Sequence, residues 1–209
     1  STLLASSAAS DVYKRQLAGV GLYSCSLDEP SYGKTTSDNY YQKESDIEQA
    51  LTGAYLQLRT TWNEYALNHY FVGDCSTDDA LKGGGNDGDR AEVRDLSDFT
   101  IYTTNGEVGR RWEILYRLIN RCNDVIYYAP DAIGNEKLLK RYANEAKALR
   151  AFGYYCLVTT FGEVPLITTP MQPAEILQIP RSPLEKVYEC IVNDLTDASA
   201  PVSYTHLTL

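Results

Sequence analysis

The feature that most constrains the fold is a long apolar face that repeats with helical spacing after residue 137. Residues three or four positions apart share one face of an α-helix, so this pattern predicts a helix that buries a broad stripe. Gly162, directly after Phe161, is well placed as the C-terminal cap of that helix. The members of the apolar face are Leu138, Leu139, Tyr142, Ala146, Leu149, Phe152, Gly153, Cys156 and Leu157. Alanines at 143, 146, 148 and 151 allow a neighbouring helix to approach closely.

Three further segments predict helices of the same amphipathic kind. The first begins at Ser45-Asp46, where Ser45 and Glu48 have the spacing of a capping box. The second begins near Glu107, and the last follows Pro183. Their inward-facing residues are Ile47, Leu51, Ala54, Tyr55 and Leu58; Val108, Trp112, Leu115, Ile119, Cys122, Asn123 and Ile126; and Val187, Ile191, Leu195 and Ala198. This order predicts a mostly α fold of TPR-like antiparallel helix pairs with long irregular loops.

The region 73–106 is the least regular part of the sequence. Its glycine-rich stretch 83–89 excludes helix or strand, because glycine carries a high backbone entropy cost. The acidic and amide residues there do not follow the order of a calcium-binding loop, so we expect a solvated loop. The chain has no CxxC pair and only two histidines, His69 and His206. We therefore expect neither a metal site nor a cofactor.

Net charge and tyrosine content narrow the class of ligand. The formal charge of −9 argues against nucleic acid and against electrostatic docking on anionic lipid. A neutral carbohydrate is compatible with this charge. The 17 tyrosines offer flat apolar faces with a hydroxyl, which suit a sugar ring, although tyrosine also lines helix contacts.

The N-terminal region contains a candidate lipidation site at Cys25. Residues 17–25 resemble the end of a signal peptide with a lipobox, in which Tyr23 departs from the usual pattern. We expect Cys25 to be acylated and to be the only membrane contact, with 26–44 as a linker and 45–200 as the helical domain. Residues 1–16 and 201–209 resemble translated adapter sequence, so we expect both to be non-native flanks.

The segment 142–166, YANEAKALRAFGYYCLVTTFGEVPL, resembles the signature of SusD/RagB-like nutrient-binding lipoproteins. The segments 47–55, 112–123 and 181–195 resemble other helices of that family in the same order, and the resemblance covers about residues 22–200. It implies the N-terminal part of a surface-exposed, lipid-anchored outer-membrane protein. Such a protein binds glycans or other nutrients without cleaving them and delivers them to a SusC-like TonB-dependent transporter.

The signature residues themselves have structural interpretations. Glu145 and Arg150 lie five residues apart, which is not a favoured helical pair, so each is interpreted as a helix-packing or capping partner. Trp112 and Tyr116 share a face with apolar residues and are expected in the core.

The ligand-contact candidates lie in the irregular region. They are Trp62, Asp74, Asp78, Tyr102 and Asn105. An exposed aromatic ring can stack on a sugar, and acid and amide groups can bond its hydroxyls. Turn capping and loop packing explain the same residues equally well.

Other function classes have less support in the sequence. No nucleophile, phosphate loop or fixed carboxylate pair supports catalysis. A TPR-type protein-interaction module in the periplasm would explain the helix pairs, but not the lipobox or the 142–166 segment.

Overall fold

The computed structural model describes residues 40–58, 69–86 and 88–200. Their helices are α1 (Glu44–Tyr55), α2 (His69–Val72), α3 (Ala91–Ser97), α4 (Gly106–Tyr128), α5 (Glu136–Phe161), α6 (Pro173–Ile176) and α7 (Leu184–Ser199). Short 3₁₀ turns cover Leu56–Leu58, Asp74–Ser76 and Ala129–Asp131. These residues contain no β-strand, which confirms the mostly helical prediction. Within the same residues, no helix is long and apolar enough to cross a bilayer.

The three longest helices pack as antiparallel neighbours. Side-chain hydrogen bonds join Arg111 to Thr160 and Asn123 to Arg150, so α4 runs opposite to α5. Ion pairs of Arg150 with Asp194 and of Lys147 with Asp197 set α7 opposite to α5 in the same way. The predicted antiparallel pairing is therefore present, and α5 is its central element.

Two apolar clusters lie along α4 and α5. One joins the first half of α4 and the second half of α5 to α7, through residues such as Leu115, Leu157 and Val187. The other joins the opposite halves of α4 and α5 to α1, through residues such as Ile47 and Cys122. A continuous core of this kind requires close helix approach. At Gly153 an added Cβ would lie 3.0 Å from Ile119, so only glycine fits there without a shift.

A buried polar network fixes the extended chain that follows α5. The helix ends at Gly162, whose φ of +71° suits glycine. Arg150 then donates to the carbonyl of Thr168 at 2.9 Å, and Asn123 Nδ2 donates to the carbonyl of Ile167 at 2.9 Å. The Tyr154 hydroxyl donates to the same carbonyl and accepts from the Ile167 N–H. The expectation that Arg150 contacts other elements is confirmed.

Several details differ from the sequence prediction. Tyr55 and Phe152, predicted on inner helix faces, are 43% and 41% exposed. α1 begins at Glu44 rather than after a Ser45 cap, because the Asp46 carboxylate accepts the Lys43 N–H at 2.9 Å. Helix α3 lies inside the region predicted as irregular, since seven residues give too short a pattern to recognise. Leu195, predicted on the inner side of α7, is 50% exposed, and Asp194 occupies the inner position.

A small third cluster anchors the irregular region. Phe71, Cys75, Val93 and Leu96 are buried together, with Val108 packed against them. The segment 69–97 is thereby attached to the start of α4, next to the C-terminal end of α5.

Candidate functional site

A concave pocket of about 490 Å³ lies between the irregular region and the paired ends of α4 and α5. Its lining residues are Val72, Gly73, Ser76, Leu96, Ile101, Val108, Arg111, Thr159, Thr160 and Phe161. The walls are thus mainly apolar, with three hydroxyl groups and one guanidinium. A pocket with apolar walls and few polar groups is the usual form of a small-ligand site.

Arg111 is the charged group of this pocket. It lies on α4, is only 3% exposed, and its Nε donates to Thr160 Oγ1 at 2.9 Å. The Thr160 hydroxyl in turn donates to the Cys156 carbonyl at 2.9 Å, so the pair is held by α5. Burial lowers the pKa of the Arg111 guanidinium, although the nearby Cys156 acts in the opposite direction. Arginine keeps its charge at physiological pH, so the wall of the pocket carries a fixed positive charge.

Exposed aromatic rings belong to the same region. Phe99 is 67% exposed and Tyr102 is 64% exposed, while Tyr70 is also exposed. Ile101 of the pocket lining lies between the first two rings in sequence. Phe99 has a left-handed backbone with φ of +56°, and the Thr100 N–H closes the turn onto the Asp95 carbonyl at 2.9 Å. A left-handed phenylalanine is uncommon, so this turn holds the ring out of the core at a conformational cost.

The sequence-predicted site residues occupy different positions relative to this pocket. Asp74 opens the 3₁₀ turn between the pocket residues Gly73 and Ser76 and is exposed. Tyr102 is exposed beside Ile101, and Asp78 is exposed just beyond the turn. Asp74 and Tyr102 are therefore sequence neighbours of residues that line one pocket. Trp62 and Cys25 lie outside the described residues.

Asn105 has a structural role as the N-cap of α4. It is buried, and its side-chain oxygen accepts the N–H groups of Glu107 and Val108 at 3.1 and 3.2 Å, as an N-cap does. Its amide nitrogen donates to the Glu92 carbonyl at 2.9 Å, which ties α4 to α3. These bonds use both ends of the amide, so the geometry favours the capping interpretation.

Sequence reasoning missed three groups of this site. Arg111 has the helical spacing of the inner residues Val108 and Leu115, which indicated a buried position. Its charge led to the opposite interpretation, although the residue is buried. Phe99 is a lone aromatic among polar residues, and Thr160 belongs to a motif interpreted as structural. Within the part of the chain that the structure describes, no cluster of three metal-ligating side chains occurs.

Comparison with known proteins decides the family. A family model described as "Starch-binding associating with outer membrane" (SusD-like) matches residues 26–207. The chain belongs to the SusD-like family. This family consists of binding proteins without catalytic activity. The segment 142–166 had indicated the same membership.

Individual SusD-like relatives agree with this assignment. SusD-like protein P2 of Formosa agariphila is 30% identical over 179 residues, which are 83% of this chain and 34% of that protein. A laminarin-binding SusD-like protein superposes with a TM-score of 0.66 at 30% identity, covering 76% of this chain and 34% of the other. Surface glycan-binding protein A of Bacteroides fluxus gives 0.64 at 28% identity, covering 77% and 34%. The chain thus spans about a third of the length of these relatives.

Proposed function

We propose that the protein binds a glycan non-catalytically at the outer cell surface and delivers it to a SusC-like TonB-dependent transporter. The observation that carries the binding step is the pocket of Arg111 in a SusD-like chain, with exposed aromatic residues next in sequence to its lining residue Ile101. The names of two similar structures support a sugar ligand, since one is called laminarin-binding and the other glycan-binding.

The chemistry of the pocket suits a carbohydrate. The rings of Phe99 and Tyr102 offer apolar faces on which a pyranose can stack. The hydroxyl oxygens of Ser76 and Thr159 can accept hydrogen bonds from the ligand's hydroxyl groups, beside the positive charge of Arg111. The Asp74 carboxylate at the edge adds a strong acceptor.

Affinity electrophoresis in gels containing laminarin, amylopectin or acidic polysaccharides tests the binding step. We expect at least one glycan to retard the chain, and Phe99→Ala or Tyr102→Ala to weaken that binding roughly tenfold each. Tyr188→Ala is the matched control, because Tyr188 is a partly exposed tyrosine on α7 outside this region. Loss of binding in the control variant alone, or no retardation by any glycan, would contradict the proposal.

We also propose that Cys25 carries the lipid anchor. The family match begins at residue 26, directly after this cysteine, and its description places the family at the outer membrane. Metabolic labelling with a fatty acid should label the expressed protein, and Cys25→Ala should abolish the label while Cys75→Ala leaves it unchanged. Labelling that persists without Cys25 would exclude this site.

The transporter partner has its own test. A tagged copy of the protein, expressed in a bacterium that carries a SusC-like transporter, should co-purify with that transporter from detergent-solubilised membranes. Recovery of the protein in the soluble periplasmic fraction, without the transporter, would contradict the delivery step.

A further inference from the structure

A second concave surface lies along the first half of α5, and we name it the α5 cleft. It consists of a hollow of about 730 Å³ and an adjoining one of about 430 Å³. The two hollows share Lys140, Asn144 and Lys147. The larger one also has Lys137 and Arg141 in its wall. The smaller one is apolar on its far side, where Ile126, Ala129, Pro130 and Ala143 lie.

Asn144, which lines both hollows of the cleft, has a side-chain amide without a protein partner among the described residues. Its residue is only 9% exposed, and it lines both hollows. Among the residues that the structure describes, none forms a hydrogen bond with its side-chain amide. Its amide atoms open onto the hollows, so both remain available to a ligand that enters the cleft.

The cleft is basic although the whole chain is acidic. Its described lining residues include Lys137, Lys140, Arg141 and Lys147, and two carboxylates, Glu136 and Asp197. Lys147 is paired with Asp197 at 2.6 Å and Arg141 with Glu145 at 3.3 Å.

The two remaining lysines are unpaired. Within the described residues, Lys137 and Lys140 form no ion pair. Lys137 also lies in the first turn of α5, where the helix dipole disfavours a cation. Two free ammonium groups thus stand beside the unpartnered amide, in a chain whose net charge is −9.

We propose that the α5 cleft binds an acidic, extended peptide segment of a partner protein. The Asn144 amide is a donor and an acceptor, which matches one backbone peptide group. Lys137 and Lys140, about two turns and one turn before Asn144 on α5, can pair with carboxylates on one side of that peptide group. The wall of alanine and proline accepts small apolar side chains. Among the described lining residues of the two hollows there is no aromatic ring on which a sugar could stack.

Calorimetric titration of the 209-residue chain at low salt tests this proposal. The probe is an acetylated and amidated octapeptide of alternating Glu and Ala, and we expect saturable binding. Asn144→Ala and Lys140→Ala should each lower the affinity about tenfold. Lys186→Ala is the matched control, since Lys186 is an exposed lysine of α7 that pairs with Glu189. The affinity of this variant for the peptide should stay within twofold of that of the unchanged chain. The Asn144→Ala variant should keep its melting temperature, because the amide has no bond to lose in the free chain.

Three results would overturn the proposal. One is absence of binding, and another is equal binding of a peptide with Gln in place of Glu. The third is binding of an oligogalacturonate with the same dependence on Asn144, while the peptide does not bind, which would assign the cleft to an acidic saccharide. None of these results bears on glycan retardation at the Arg111 pocket, so the two proposals fail separately.

Discussion

The buried ion pair between α5 and α7 yields the sharpest prediction about stability. Arg150 Nη2 and Nε lie 2.8 Å from the two carboxylate oxygens of Asp194, so the contact is bidentate. The two side chains are 8% and 6% exposed. Burial alone would lower the pKa of Arg150, but the hydrogen bonds and charge of Asp194 outweigh burial and the net shift is upward.

Removing one partner of such a pair leaves the other charge buried. Asp194→Ala would strand the Arg150 guanidinium, which Asn123 Oδ1 and the Thr168 carbonyl solvate only in part. The expected loss is about 3–5 kcal/mol of unfolding free energy. For a chain of this size, about 2–4 °C per kcal/mol gives a fall of roughly 6–20 °C in melting temperature. Thermal unfolding followed by circular dichroism, together with urea titration, measures both quantities.

Asp197→Ala is the matched control on the same helix. Asp197 lies three residues further on, pairs with Lys147, and its side chain is 57% exposed, so we expect a far smaller change in melting temperature. The double variant Arg150→Met/Asp194→Leu should recover much of the loss, because no charge is then left buried, although Asn123 and the Thr168 carbonyl lose their donor. A loss of less than about 1 kcal/mol of unfolding free energy for Asp194→Ala would refute the reasoning.

Three further predictions concern a helix cap, a helix end and a buried thiol. Asn105→Ala should cost about 1–2 kcal/mol in urea unfolding by removing the N-cap of α4, and Asn105→Asp should cost less because it keeps the accepting oxygen. Gly162→Ala should cost about 1–2 kcal/mol, since its left-handed backbone is strained for alanine although nothing lies near the added Cβ. Gly109→Ala, within α4, is its control and should not destabilise. Melting temperature should fall between pH 9 and 11, because burial raises the pKa of Cys190 from 9.0 to about 11 and folding retains its proton; Cys190→Ala should flatten this part of the pH profile.

The long helices were predictable because their pattern is repeated many times. α5 carries its apolar stripe through 26 residues, so single exceptions such as the exposed Phe152 do not obscure the period. α7 shows the limit of the same method. Its pattern placed Leu195 inside, but a bidentate arginine makes Asp194 the buried residue and turns the helix accordingly. From sequence alone, a charged residue is expected at the surface. Asp194 is buried because its partner Arg150 lies on another helix, which the sequence of α7 does not reveal.

The candidate site was predictable only in part for a related reason. Asp74 and Tyr102 were predicted because they lie in an irregular, polar segment, and their contact with a ligand stays a prediction. Arg111 and Asn144 were not, since both sit on amphipathic helices where sequence gives no sign of a cavity. Their significance depends on which elements leave space around them. Asn105 was chosen for its polarity, yet its position just before a helix equally predicted the cap that the structure describes.

Helix α5 separates the two proposed binding surfaces and lets them act independently. The α5 cleft uses residues up to Lys147, whereas the Arg111 pocket begins at Thr159 on the same helix. A helix rises 1.5 Å per residue, so these twelve residues span about 18 Å. That distance is about twice the Debye length of roughly 8 Å at physiological ionic strength. The lysines of the cleft therefore add little potential at the pocket, which can accept an uncharged glycan while an acidic segment occupies the other end of the helix. Competition between the two ligands would require α5 itself to move, and the buried network of Arg150 lies between them and holds it in place.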